Sequence, residues 1–173
     1  ADADPATIPT AADGCGIVTF ALPLERMAHA FSQLGALEGG ERVSAAMRAH
    51  PELIRGPLAA DTMLMRTLPG WVAKGGAEGL VCATSPDGLG VGVKIEDGAT
   101  RAVRSALAAF LARLGIETEE LGVVPVENSR GEVVGEIDVD RRLVRGVLLR
   151  VDDLFGRLGH PVVQRIDRRP IAL

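Results

Sequence analysis

Apolar residues recur at helical spacing through the first seventy positions. Leu24, Met27, Ala28, Phe31 and Leu34 form one stripe in "LPLERMAHAFSQLG", with Pro23 near its start and Gly35 as its stop. A second stripe, Val43, Ala46, Met47 and Leu53, predicts another helix through "GERVSAAMRAHPELI". A third helix, "TMLMRTL", is expected to start at a cap from Asp61 or Thr62 and to end before Pro69 and Gly70. The period then changes. "WVAK", "GLVCATS" and "LGVGVKI" are short runs rich in Val and Ile, and Pro86-Asp87-Gly88 is a turn signal between the last two. They predict neighbouring antiparallel strands. "GATRAVRSALAAFLARLG" is the longest helical stretch, with Val103, Leu107, Phe110, Leu111 and Leu114 on one side. "GVVPVENSRGEVVGEIDV" predicts a hairpin turning at Asn128 to Gly131.

The two ends are simpler. Residues 1–12 are small, polar and proline-punctuated and predict an extended lead-in, followed by a tight turn at "DGCG", 13 to 16. In the tail, 138–173, Leu143, Val144, Val147, Leu148, Val151, Leu154 and Phe155 repeat at helical spacing opposite a mixture of Arg and Asp. That pattern predicts a solvated amphipathic helix rather than a membrane anchor. Helices, antiparallel strands and a covering helix together predict an α+β fold.

Composition narrows the classes. The chain is 47% apolar and 24% charged, enough for a sizeable core, yet only 3% aromatic with no Tyr, so that core must be aliphatic. A net charge of −4 argues against a general nucleic-acid binder. No apolar run approaches the roughly 20 residues that span a membrane. The first residues, "ADADPATIPTAADG", lack a basic then apolar leader pattern, and the two cysteines, Cys15 and Cys82, make no disulfide framework. A reduced, cytoplasmic setting is the expectation.

Candidate chemistry centres on one lysine. Arginine carries most of the positive charge, and the two lysines are Lys74 and Lys94. Lys74 follows a short apolar run and precedes Gly75 and Gly76, which would let a ligand or another backbone come close. Such a lysine can donate to a carboxylate or fix the proton balance of a nucleophile. The plainer reading is an edge-strand lysine that discourages aggregation. Cys15, between glycines and two residues from Asp13, is either a metal ligand or nucleophile, or a buried small hydrophobe. Cys82 sits in an apolar strand and reads as core. His29, His50 and His160 are scattered and read as structural. "GLGVG", 88 to 92, has the glycine density of a phosphate loop, but no Lys-Ser/Thr follows and it reads as a strand.

Three segments taken together, "DGCGIVTFALPLERMAHAFSQL", "MRAHPELIRG…DTMLMRTLPG" and "VAKGGAEGLVCATSPDGLGVGVKIEDGATRA", resemble the bacterial asparaginase II family. The resemblance is to the type of the Rhizobium etli inducible enzyme. It covers residues 13–137, is to the carboxy-terminal half of the family, and leaves 138–173 unmatched. It implies an antiparallel sheet flanked by helices, similar to serine β-lactamases, penicillin-binding proteins and related glutaminases. It implies hydrolysis of L-asparagine to L-aspartate and ammonia. Lys74 would be a catalytic residue that organises the nucleophile or the substrate carboxylate, with Gly75, Gly76 and Asp13 at the substrate and Cys15 as one zinc ligand. A homodimer, or pairing with an amino-terminal half, is the implied assembly.

One departure qualifies that resemblance. The family's nucleophile lies in S-x-x-K, and zinc ligands lie in C-x-G-K. Here Trp71 stands three residues before Lys74 and Val91 three before Lys94, so neither motif is present. The expectation is therefore an amidohydrolase that needs an absent half for its serine, the remaining zinc ligands and its activity. The alternative is a catalytically inactive binding or oligomerisation module. A third reading, chemistry by Cys15 and Lys74 alone, is the weakest.

Overall fold

The structure is a computed structural model that describes residues 1–137, Val139 and the backbone of Gly146–Arg150. Its centre is a four-stranded antiparallel sheet of β3 (Val72–Gly76), β4 (Leu80–Thr84), β5 (Leu89–Lys94) and β8 (Gly146–Arg150), in that spatial order. The three Val- and Ile-rich runs are thus neighbouring strands, as their period predicted. The turn between β4 and β5 is closed by Ser85, whose Oγ accepts the Leu89 N–H at 2.9 Å and bonds the Asp87 carboxylate.

Strand alternation gives this sheet two unlike faces. Ala73, Val81, Ala83, Val91 and Val93 point to one side, where they pack against two helices, α4 (Ala60–Thr67) and α5 (Val103–Ala112). Leu64, Leu107 and Leu111 are fully buried in that core. Each contributes on the order of 1.5–3 kcal/mol relative to exposure. A short helix, α6 (Glu119–Gly122), closes the far side with Leu121. Arg104 of α5 donates to the carbonyls of Glu120, Leu121 and Val123 at the end of α6, and partial burial lowers the pKa of its guanidinium.

The opposite face carries Lys74, Cys82, Gly90 and Gly92, and helix α1 (Leu24–Ser32) lies across it. The glycines of "GLGVG" are explained by that helix. A Cβ on Gly90 would collide with the Ala28 carbonyl oxygen, and one on Gly92 would meet Leu24 at 3.1 Å. The bare strand lets α1 rest on backbone. Buried His29 of α1 places Nε2 3.0 Å from the Asp2 carboxylate.

Two hairpins flank this body. β1 (Thr10–Ala12) pairs with β2 (Val18–Phe20) around "DGCG", so the last part of the expected lead-in is a paired strand. β6 (Pro125–Glu127) pairs with β7 (Val133–Glu136) around the expected turn.

Three expectations need correction. The helix through "GERVSAAMRAHPELI" is broken at Pro51 into α2 (Gly40–Ala49) and α3 (Glu52–Arg55). Its buried side is Gly40 and Ser44, with Met47 partly covered, while Val43, Ala46 and Leu53 are exposed. Close packing under Leu34 favours the small residues: a Cβ on Gly40 would collide with the Leu34 carbonyl oxygen. Asp61 lies inside the first turn of α4, not at its cap. In the tail, Val147 and Leu148 belong to β8, a strand along the outer edge of β5, not to a helix. A short apolar run fits either period, and the unpaired edge of β5 supplied hydrogen bonds that an isolated helix face does not. Residues 138, 140–145 and 151–173, with Leu143 and Val144 of the expected stripe and His160 among them, lie outside the described residues.

Gly90→Ala is expected to lower the unfolding free energy by about 1–3 kcal/mol through overpacking against α1, read by urea titration. Gly135→Ala, with open space around it, is expected to stay within about 0.5 kcal/mol of the parent.

Candidate functional site at the outer edge of β3

Among the described residues β3 has a strand partner on one side, β4, so its other edge carries backbone groups that need partners from elsewhere. Gly75 shows how they are met. Its N–H donates to Oδ2 of Asp61 at 2.8 Å, and its carbonyl accepts from the ammonium of Lys74. Asp61 has no exposed surface, and its Oδ1 takes the Thr62 N–H at 3.0 Å. Thr62, also fully buried, donates its hydroxyl to the Pro51 carbonyl at 2.9 Å. A buried carboxylate is costly unless hydrogen-bonded, and here both oxygens are engaged by backbone donors.

A third charged group reaches the same place. Arg55, the last residue of α3, lays its guanidinium against Gly75, where any Cβ would collide with Nη1. The same Cβ would meet Asp61 Oδ2 at 3.2 Å. Nη1 donates to the Gly76 carbonyl at 3.4 Å, at the long end for a hydrogen bond. Lys74 starts from the α1 face of the strand and Arg55 comes from the α4 face. Two cations thus meet consecutive carbonyls, and neither has an ion-pair partner among the described residues.

The structure brings Lys74, Gly75 and Gly76 together with Asp61 and Arg55. It does not join Asp13 or Cys15 to them by any hydrogen bond or ion pair among the described residues. Those two sit at the tip of the β1–β2 hairpin, where Asp13 Oδ1 accepts the N–H groups of Cys15 at 2.8 Å and Ile17 at 3.0 Å. Asp13 shapes the turn that presents Cys15, and Cys15 is exposed. Cys82 is buried in β4, and burial pushes its thiol up to about 11. Among the described residues no three His, Cys, Asp or Glu side chains are grouped to hold a metal. The described residues therefore do not by themselves fit a zinc site.

Two surface cavities lie elsewhere. One of about 360 Å³ runs beside α5 and α6, and one of about 350 Å³ opens between Trp71, Asp87 and Leu114. Neither includes Lys74 or Cys15. The edge of β3 is an open charged ledge, defined by its chemistry more than by its depth.

By sequence, Asp61 stood out only as a candidate helix cap, and Arg55 did not stand out. Asp61 did leave a signal, because 61, 64, 65 and 68 share one helical face and an acid on that apolar stripe needs a buried donor. Arg55 left none in an arginine-rich chain. One family model, described as L-asparaginase II, matches residues 1–139 of this chain. Among curated proteins, none matches it.

Asp61→Ala is expected to cost about 2–4 kcal/mol in unfolding free energy by stranding two backbone donors, with faster amide exchange at Gly75. In the native protein at pH 8, Cys15 is expected to react with a disulfide reagent while Cys82 reacts only in urea. Because the buried Cys82 thiol ionises later than the unfolded one, its stabilising contribution is complete below pH 9 and is lost as pH rises toward about 11. A pH series of urea midpoints, compared with the same series for Cys82→Ala, checks that sign.

Proposed function

The chain belongs to the L-asparaginase II family, and on that footing we propose that it forms one wall of an amidohydrolase site for L-asparagine. The observation that carries the proposal is the β3 edge. Lys74 and Arg55 stand unpaired at the carbonyls of Gly75 and Gly76, inside the matched region. L-Asparagine brings a carboxylate, and hydrolysis of its side-chain amide builds negative charge on the carbonyl oxygen. A lysine ammonium beside that oxygen stabilises the charge as it forms. The Lys74 ammonium now rests on its neighbour's carbonyl and is free to turn to a stronger acceptor. Gly75 and Gly76 present no side chain to a substrate laid along the strand. The products are L-aspartate and ammonia.

The reading needs a serine activated by a lysine, and this sequence contains no S-x-x-K. That pair would come from outside these 173 residues. The same holds for zinc: Cys15 would serve as one ligand, with others supplied from elsewhere. Asp13 would act at the site by fixing the turn that carries Cys15.

A second reading, an inactive interaction module, is favoured by one observation. Ile17, Val18 and Phe20 are exposed by 64%, 61% and 59% on the β1–β2 hairpin, an apolar surface of the kind that partners cover. A homodimer or a paired half would bury it.

Ammonia release from L-asparagine separates the two. The chain alone is expected to release none, and the chain joined to a segment that supplies the serine–lysine pair is expected to release it. Lys74→Ala in that complete enzyme is expected to lower kcat/KM by about 10²–10³. An unaltered rate would remove Lys74 from the site, and silence from the complete enzyme would favour the module.

A further inference from the structure

The described arginines divide by what they bond. Arg48, Arg66 and Arg130 each pair with a glutamate. Arg104 spends its guanidinium on three backbone carbonyls, at 2.9 to 3.3 Å. Arg26 makes a single bond of 3.3 Å, to the Ala1 carbonyl. Arg55 likewise makes one bond, of 3.4 Å to the Gly76 carbonyl, and Glu52 of its own helix turns to Arg66 instead. What sets Arg55 apart is its location: its guanidinium occupies the space that a side chain on Gly75 would take. A guanidinium carries five N–H donors in a planar fork, so most of its donors remain unspent.

From this we infer that Arg55 is the substrate-binding residue that takes the α-carboxylate of the amino-acid substrate. The inference deepens the proposed function and rests on it. Lys74 is a point charge on a mobile stem, suited to a single oxygen. Arg55 offers a fork that matches both oxygens of a carboxylate, and its position over Gly75 is set before the ligand arrives. Preorganisation of that kind reduces the ordering cost of binding. Gly75 acquires a second role, since its lack of a Cβ gives the guanidinium its seat. The division of labour is then definite: Arg55 fixes the end of the molecule that does not react, and Lys74 attends the amide that does. Asp61, fully buried and bonded to the Gly75 N–H, keeps the seat in register but does not reach the ligand.

The experiment compares L-asparagine with its α-methyl ester, which lacks the carboxylate charge, in the complete enzyme. Arg55→Met is expected to raise KM for L-asparagine about 10- to 100-fold while changing kcat less than threefold. It should also bring kcat/KM for the acid and the ester close together. Arg55→Lys should recover part of the preference. Gly75→Ala, which leaves the arginine but removes its seat, should imitate Arg55→Met. An Arg55→Met enzyme that keeps both its KM and its preference for the free acid overturns the inference and leaves the proposed activity standing. If the complete wild-type enzyme releases no ammonia, the proposed activity fails instead. Titration of the chain with L-aspartate, followed at the Arg55 Nε–H resonance, then decides. Saturable binding lost in Arg55→Met supports the carboxylate role, and binding that is absent or unchanged overturns it.

Discussion

A carboxylate with no exposed surface and the N–H of a glycine meet at 2.8 Å, and the arrangement of this molecule's charged ledge follows from that contact. Asp61 ties the first turn of α4 to the outer edge of β3, where it meets the outward N–H of Gly75. Its second oxygen holds the Thr62 N–H, and Thr62 in turn holds the Pro51 carbonyl at the α2–α3 break. Through these bonds the break in the helical region, the helix that follows it and the strand are fixed together. Arg55 emerges from that break and is delivered to Gly75.

The sheet is built to be approached. Gly75 admits a guanidinium, Gly90 a carbonyl of α1 and Gly92 a leucine of the same helix. Each absent Cβ brings something closer to the backbone than a side chain would allow. The face carrying Ala73, Val81, Val91 and Val93 has a conventional aliphatic core, consistent with a chain so poor in aromatic residues. On the other face the sheet is thinned so that α1 sits on the strand itself.

Much of this was legible from periodicity. The changes from helical to alternating spacing placed α1, α4, β3, β4, β5 and α5, because each segment buries a single face whose width the chain's geometry dictates. Lys74 stood out by rarity and by its two glycines. What periodicity misjudged was small or short. Gly40 is buried where Val43 is not, because the approach of the Leu34 carbonyl rewards lack of bulk over hydrophobicity, and Ser44 is buried on the same helix. Val147 and Leu148 fit a helix stripe and a strand alike, and the free edge of β5 chose between them.

By itself, then, the sequence determined the order and type of the main elements, the α+β class, and the strand that carries Lys74-Gly75-Gly76, together with a family likeness borne out over residues 1–139. Those properties are local: they depend on spacing, turn residues and short motifs. The tertiary structure decided which charges share a place. Asp61 lies fourteen positions before Gly75 and Arg55 twenty-one before Gly76. No local rule relates them, since their meeting is set by how α3 and α4 pack on the edge of β3. Packing likewise set Cys15 on an exposed hairpin and Cys82 in the core. The surroundings of a charged side chain are a property of the fold, and the chemistry at Lys74 became readable only when Asp61 and Arg55 were beside it.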